Sequence, residues 1–127
     1  MSYRDLEVWK RGMDLAAAVY RIAQSLPDTE RYGLAQQMRR SAVSVPSCIA
    51  ERRARLSTRE FARFFAMALS SLAELETQLL LATRLRLTAA DVDTELAATN
   101  ELGRMLQSLR KSLDRKFEPG GQTPSER

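Results

Sequence analysis

The most constraining feature of the chain is one apolar row that repeats at heptad spacing. Phe61, Phe65, Ala68, Leu72, Leu75, Leu79 and Ala82 recur every three or four residues. That period belongs to an α-helix with one face in a core, and it runs for three heptads. Such a seam suits antiparallel helix packing at a crossing angle of roughly 20°. The row also has a start signal. Ser57-Thr58-Arg59-Glu60 reads as a capping box, with Ser57 as N-cap and Glu60 at the third helical position.

Three more segments carry helical periodicity. The first runs from about Asp5 to Leu26 and holds two apolar rows. Leu6, Trp9, Met13, Ala16, Tyr20 and Ala23 form one; Val8, Leu15, Val19, Ile22 and Leu26 form the other. Both are read as one wide buried stripe, with Trp9 and Tyr20 in the core. Pro27 ends the segment, because a residue before proline is pushed out of the helical region. The second begins between Thr29 and Gly33 and reaches about Leu56. Its core row is Leu34, Met38, Ala42, Val45 and Ile49. Pro46 interrupts it and predicts a kink at the carbonyl of Ala42. A polar row of Gln37, Arg40, Ser44, Ser47 and Glu51 shares another face, and Ser44 and Ser47 are placed to bond the carbonyls a kink would free. The fourth segment follows a weaker cap at Thr88 and Asp91. Val92, Leu96, Thr99, Leu102, Leu106, Leu109 and Leu113 make its row.

Short links between long helices force antiparallel neighbours. The expectation is therefore an all-α, up-and-down four-helix bundle over residues 1–117. Residues 118–127, rich in glycine, proline and polar groups, read as a disordered tail. The 127 residues suffice for one domain with its own core.

Several function classes lose their means here. There is no histidine in the chain. That removes the commonest general base and metal ligand, and the Glu-x-x-His pairs that di-iron bundles need. No glycine-rich phosphate loop is present. Cys48 is the single cysteine, so no internal disulfide forms, and it reads as a small buried hydrophobe beside the core row. Glu74 and Glu76 read as surface carboxylates or ion-pair partners. No catalytic residue, metal ligand or cofactor is assigned, and the chain is not read as an enzyme. The N-terminus lacks the apolar run of a signal peptide, and no uncharged stretch approaches the ~18 residues of a membrane span. A cytoplasmic location is the expectation.

The charge is unevenly distributed. Residues 30–63 hold eight basic and three acidic groups, whereas residues 64–103 hold two basic and six acidic. The positive excess comes from Arg39, Arg40, Arg52, Arg53, Arg55, Arg59 and Arg63, all arginine. A guanidinium offers a rigid fork of donors that suits phosphate. These seven are the candidate nucleic-acid-binding residues. The same arginines also fit a solvated face with intrahelical pairs such as Glu51–Arg55 and Glu60–Arg63, or an acidic protein partner. Arg104, Arg110, Lys111, Arg115 and Lys116 make a second basic end on the fourth segment.

Four sequence blocks carry a family likeness. They are Asp5-Leu-Glu-Val-Trp9, Leu26-Pro-x-x-Glu30-x-Tyr-Gly-Leu34, the run from Gln37 through Arg40, Ser44, Pro46 and Ala50 to Glu51, and Ser70-Ser-Leu-Ala-Glu-Leu-Glu-Thr-Gln-Leu79. Together they resemble the bacterial four-helix bundles encoded in intervening sequences of 23S ribosomal RNA. The accessory variability determinant of diversity-generating retroelements belongs to the same group. The likeness covers roughly residues 3–115. It implies a bundle that assembles as a ring-like homopentamer with a basic surface. In the retroelement branch it implies binding to nucleic acid (RNA or DNA) and to a reverse transcriptase. Three positions depart from the family pattern: Cys48 stands where Asn is usual, and Arg52 and Ser70 stand where Gly is usual. The function expected is non-enzymatic nucleic-acid binding by a homo-oligomer. The alternative is a scaffold that carries a protein partner such as a reverse transcriptase.

Overall fold

The computed structural model describes residues 3–53 and 58–117; the side chains of Tyr3, Arg52, Arg53, Thr58 and residues 113–117 are not described. The described residues form four α-helices and no strand. Helix α1 spans Tyr3–Gln24, α2 Leu34–Arg53, α3 Thr58–Arg84 and α4 Asp93–Phe117. Each packs against its neighbours in sequence, and α4 returns to α1, so the four surround one core.

Local chemistry sets the boundaries. After α1, a single 3-10 turn at Asp28–Glu30 reverses the chain. The Glu30 carboxylate then accepts the backbone N–H of Leu34 at 3.2 Å. That satisfies one of the donors a helix start leaves open. α3 ends where Arg86 takes a left-handed conformation (φ 56°) and the Leu87 N–H reaches back to the Ala82 carbonyl at 2.9 Å. This is a Schellman-type ending with a non-glycine residue in the strained position. Before α4, Asp91 accepts the N–H of Asp93, the first residue of the helix, whereas Thr88 accepts the Ala90 N–H within the preceding loop, so of the expected cap only Asp91 acts on the helix. The capping-box Ser57 and the 118–127 tail lie outside the described residues.

The core is built mostly from the predicted rows, but Phe61 and Leu96 are only half-buried and Phe64, outside those rows, is buried. Leu34, Met38, Ala42, Val45 and Ile49 of α2 are buried, as are Phe65, Ala68, Leu72, Leu75, Leu79 and Ala82 of α3. Val92, Thr99, Leu102, Leu106 and Leu109 complete it from α4. Thr99 satisfies its hydroxyl on the Glu95 carbonyl at 2.7 Å. Helix α2 continues through Pro46. Gly12 of α1 lies against the ring: a Cβ there would sit 3.5 Å from Pro46 Cα and Cβ.

The reading of α1 needs correction. Val8, Leu15, Val19, Ile22 and Leu26 are buried. Of the other row, only Ala23 is. Tyr20 is 44% exposed, Met13 47% and Leu6 37%. Trp9 and Ala16 are half-buried at the edge of the core. At 100° per residue the two rows are centred roughly a third of a turn apart. A helix with two bundle neighbours has room to bury one of them.

Within the bundle, a short polar seam joins α2 to α3. Ser71 donates to Ser44 at 2.8 Å, and the Ser44 hydroxyl lies 3.7 Å from the thiol of buried Cys48. Ser44 thus bonds across helices, and not to a carbonyl freed by a kink. On the α1–α4 side, Arg11 meets Glu7 at 3.0 Å and Glu101 at 2.8 Å. The hydrogen bond to Glu7 and the charge of Glu101 hold its pKa above the usual guanidinium value. The pair ties the first helix to the last.

Helix α3 is apolar beyond its core face. Its stretch Arg59–Arg84 is long and apolar enough to cross a membrane by length and composition alone. In the bundle its core row is buried, and Glu74 and Glu76 interrupt the stretch. Met67, Leu80 and Leu81 of α3 and Leu85 just beyond its end are left exposed.

Candidate nucleic-acid interface

Two of the seven candidate arginines sit together on α2 yet point apart. Arg39 is half-buried on the side facing α1, with its Cζ 5.6 Å from the centroid of the Tyr20 ring. That distance is within cation–π range. Arg40 is exposed on the other side. It lines a groove of about 610 Å³ between α2 and α3, with Gln37, Ser41, Glu74 and Gln78 among its walls. Ser41 donates to Glu74 across this groove at 3.4 Å.

Four of the others lie near one end. Arg52 and Arg53 close α2, while Arg59 and Arg63 lie in the first turns of α3. Because the two helices pack as antiparallel neighbours, the end of one lies beside the start of the other. Arg59 and Arg63 are exposed, and the Arg63 guanidinium stands 5.3 Å over the Phe64 ring. Arg55 lies outside the described residues. Arg40 precedes Arg53 by thirteen residues, about 20 Å along a helix axis. The described arginines therefore form an end group and a separate mid-helix pair. Among the described residues, neither Arg40 nor Arg59 is joined to a carboxylate. Exposed guanidinium groups held in no ion pair remain available to phosphate oxygens. Of the second basic end, Arg104 lines a separate groove between α1 and α4.

Chemistry beyond binding finds little support in this arrangement. The Ser44–Ser71–Cys48 cluster contains no base to activate a nucleophile. Among the described residues, no group of three or more acidic or thiol side chains is placed to hold a metal.

One surface feature lies beyond what the spacing alone predicts. An open, mostly apolar groove of about 470 Å³ runs between α1 and α2, lined by Trp9, Met13, Ala16, Tyr20, Val43 and Ala50. Its signal in the sequence is the second apolar row of α1, which periodicity assigns to the core.

The chain is similar to known proteins at two levels. A solved structure from Bacteroides thetaiotaomicron, described as a protein with unknown function from the S23 ribosomal protein family, superposes with a TM-score of 0.76. The two share 22% identity over 85% of this chain and 98% of that one, which shows a common fold. No curated protein matches the chain. The family model for 23S rRNA-intervening sequence proteins matches residues 4–108. With most of its length matched, from the start of α1 into α4, this chain belongs to the 23S rRNA-intervening sequence protein family.

Proposed function

We propose that the protein is a non-enzymatic, homo-oligomeric bundle that binds the backbone of nucleic acid. The observation that carries this reading is the group of arginines at the α2–α3 end, with Arg59 exposed and joined to no carboxylate among the described residues. Arg40, about 20 Å further along α2, offers a separate exposed contact. Backbone contacts of this kind position a nucleic acid without reading its sequence. Assembly into a ring, as the family resemblance implies, would repeat a weak patch and raise its avidity. The complete absence of histidine argues against acid–base or metal-dependent chemistry.

Titration against single- and double-stranded RNA and DNA at two salt concentrations tests the reading. Four phosphate contacts per protomer would lose on the order of 10²-fold in affinity between about 50 and 200 mM salt. Arg59→Ala with Arg63→Ala should weaken binding across sequences alike and lower the salt slope by about 1 for each phosphate left without its arginine. No binding at low salt removes the reading. Capture of a protein partner such as a reverse transcriptase that survives nuclease treatment would favour the scaffold alternative.

A further inference from the structure

Along the seam between α1 and α4, arginines and carboxylates are unequally matched. Arg11 holds both Glu7 and Glu101, at 3.0 and 2.8 Å. Arg4 and Arg104 are left without an acid among the described residues. Both are exposed, and both line one groove of about 380 Å³. Arg4 reaches across it from α1, where its Nη2 donates to the Ser108 hydroxyl of α4 at 3.1 Å. Arg104 precedes Ser108 by four residues, so the two are neighbours on one face of α4. Two guanidinium groups, one from each helix, thus flank a single hydroxyl. Buried Val8 and Leu109, with half-buried Met105, give the same groove an apolar floor.

We infer that this groove binds a phosphomonoester carried on a nucleoside, either a free nucleotide or the terminal phosphate of a strand. Charge selects the monoester. A terminal phosphate carries about −1.5 to −2 at neutral pH and three acceptor oxygens, which two guanidinium forks can match. The Ser108 hydroxyl accepts from Arg4 and keeps its own proton for a further phosphate oxygen. The floor selects a nucleoside over the bare ion, because sugar and base have apolar surface to cover there. The size also fits, since small-molecule sites span roughly 300–1,000 Å³.

Glu7 and Glu101 also border the groove and on their own would repel an anion. Arg11 offsets them, and it lies seven residues, about 10 Å, along α1 from Arg4. The groove therefore has one end where charges are paired and one end with two cations and no acid to hold them. It is formed by a different pair of helices from the α2–α3 arginines. For a strand end, the inference rests on the proposed nucleic-acid reading; a free nucleotide would fill the groove without it.

Titration calorimetry at low salt tests it on the full chain with two sets of probes. The first is the four nucleoside 5′-monophosphates, their nucleosides and inorganic phosphate. The second is a short RNA with a phosphate at its 5′ end, at its 3′ end or at neither. At least one monophosphate, or one phosphorylated end, should bind about tenfold or more tighter than its hydroxyl counterpart and than inorganic phosphate. Arg4→Ala and Arg104→Ala should each erase that preference. Both residues are exposed, and far-UV circular dichroism checks that the variants fold. A preference among the RNAs identifies the strand end as the source; a preference among the mononucleotides alone identifies the free nucleotide. No preference for phosphate in either set overturns the inference, as does a preference that survives both substitutions or inorganic phosphate binding as tightly as any nucleotide. RNA that binds equally well with and without terminal phosphate, beside inert mononucleotides, sinks this site and leaves the nucleic-acid reading standing.

Discussion

The two apolar rows of α1 differ in make-up as well as in fate: one is wholly branched aliphatic, while the other mixes Trp9, Met13 and Tyr20 with Leu6 and alanines. Val8, Leu15, Val19, Ile22 and Leu26 are sealed inside, while Leu6, Met13 and Tyr20 of the other row face out and Trp9 lies between. The row that matters for stability is the one α2 and α4 happen to cover. The other is apolar surface that the bundle does not need for its own core. Hydrophobic side chains on a helix are thus a statement about burial somewhere, and the partner that buries them need not be in the same chain.

The sharpest way to break that comparison is a pair of truncations. Leu15→Ala should cost about 2–5 kcal/mol of unfolding free energy, because the cavity it leaves cannot fully close. Met13→Ala, two residues away on the outer row, should cost the isolated bundle less than about 0.5 kcal/mol. Urea denaturation at low protein concentration reads both. Equal losses would mean the rows are not distinct.

A smaller effect concerns the polar seam within the core. Ser71→Ala removes the donor to Ser44 across α2 and α3 and should cost about 1 kcal/mol in the same denaturation experiment. A loss near that of Leu15→Ala would make the seam a principal determinant of the bundle.

Smaller again, and of opposite sign, is the effect expected at the boundary between the rows. The Gly12→Ala side chain would meet Pro46 at an ordinary 3.5 Å and relieve a glycine in mid-helix. The variant should gain about 0.5 kcal/mol, read as a raised thermal midpoint. Destabilisation would show that α1 and α2 approach more tightly there than a methyl group allows.

Most of the fold was legible in the sequence because three helices offered one apolar row each. Leu34 through Ile49 on α2 and Phe65 through Ala82 on α3 are buried as their spacing required. On α1 periodicity supplied two rows and no means to choose between them. The choice depends on where the chain returns after Pro27 and where α4 docks, and both are tertiary facts. The candidate site was legible in composition and less so in geometry. Arg39 and Arg40 adjoin in sequence, yet 100° of helical rotation sends one onto Tyr20 and the other into the α2–α3 groove. The end group at Arg52, Arg53, Arg59 and Arg63 follows from the antiparallel connection, which the short link already implied.

Trp9 is the only tryptophan, and it lies half-buried in the outer row beside Met13. Its fluorescence therefore reports directly on whether that row is covered in the working protein. On dilution from high to low micromolar concentration, the emission maximum should move to longer wavelength while helicity stays constant, and Met13→Glu should show the long-wavelength spectrum at every concentration. An emission maximum that ignores both dilution and the substitution would contradict the account, leaving the second row of α1 as bare surface.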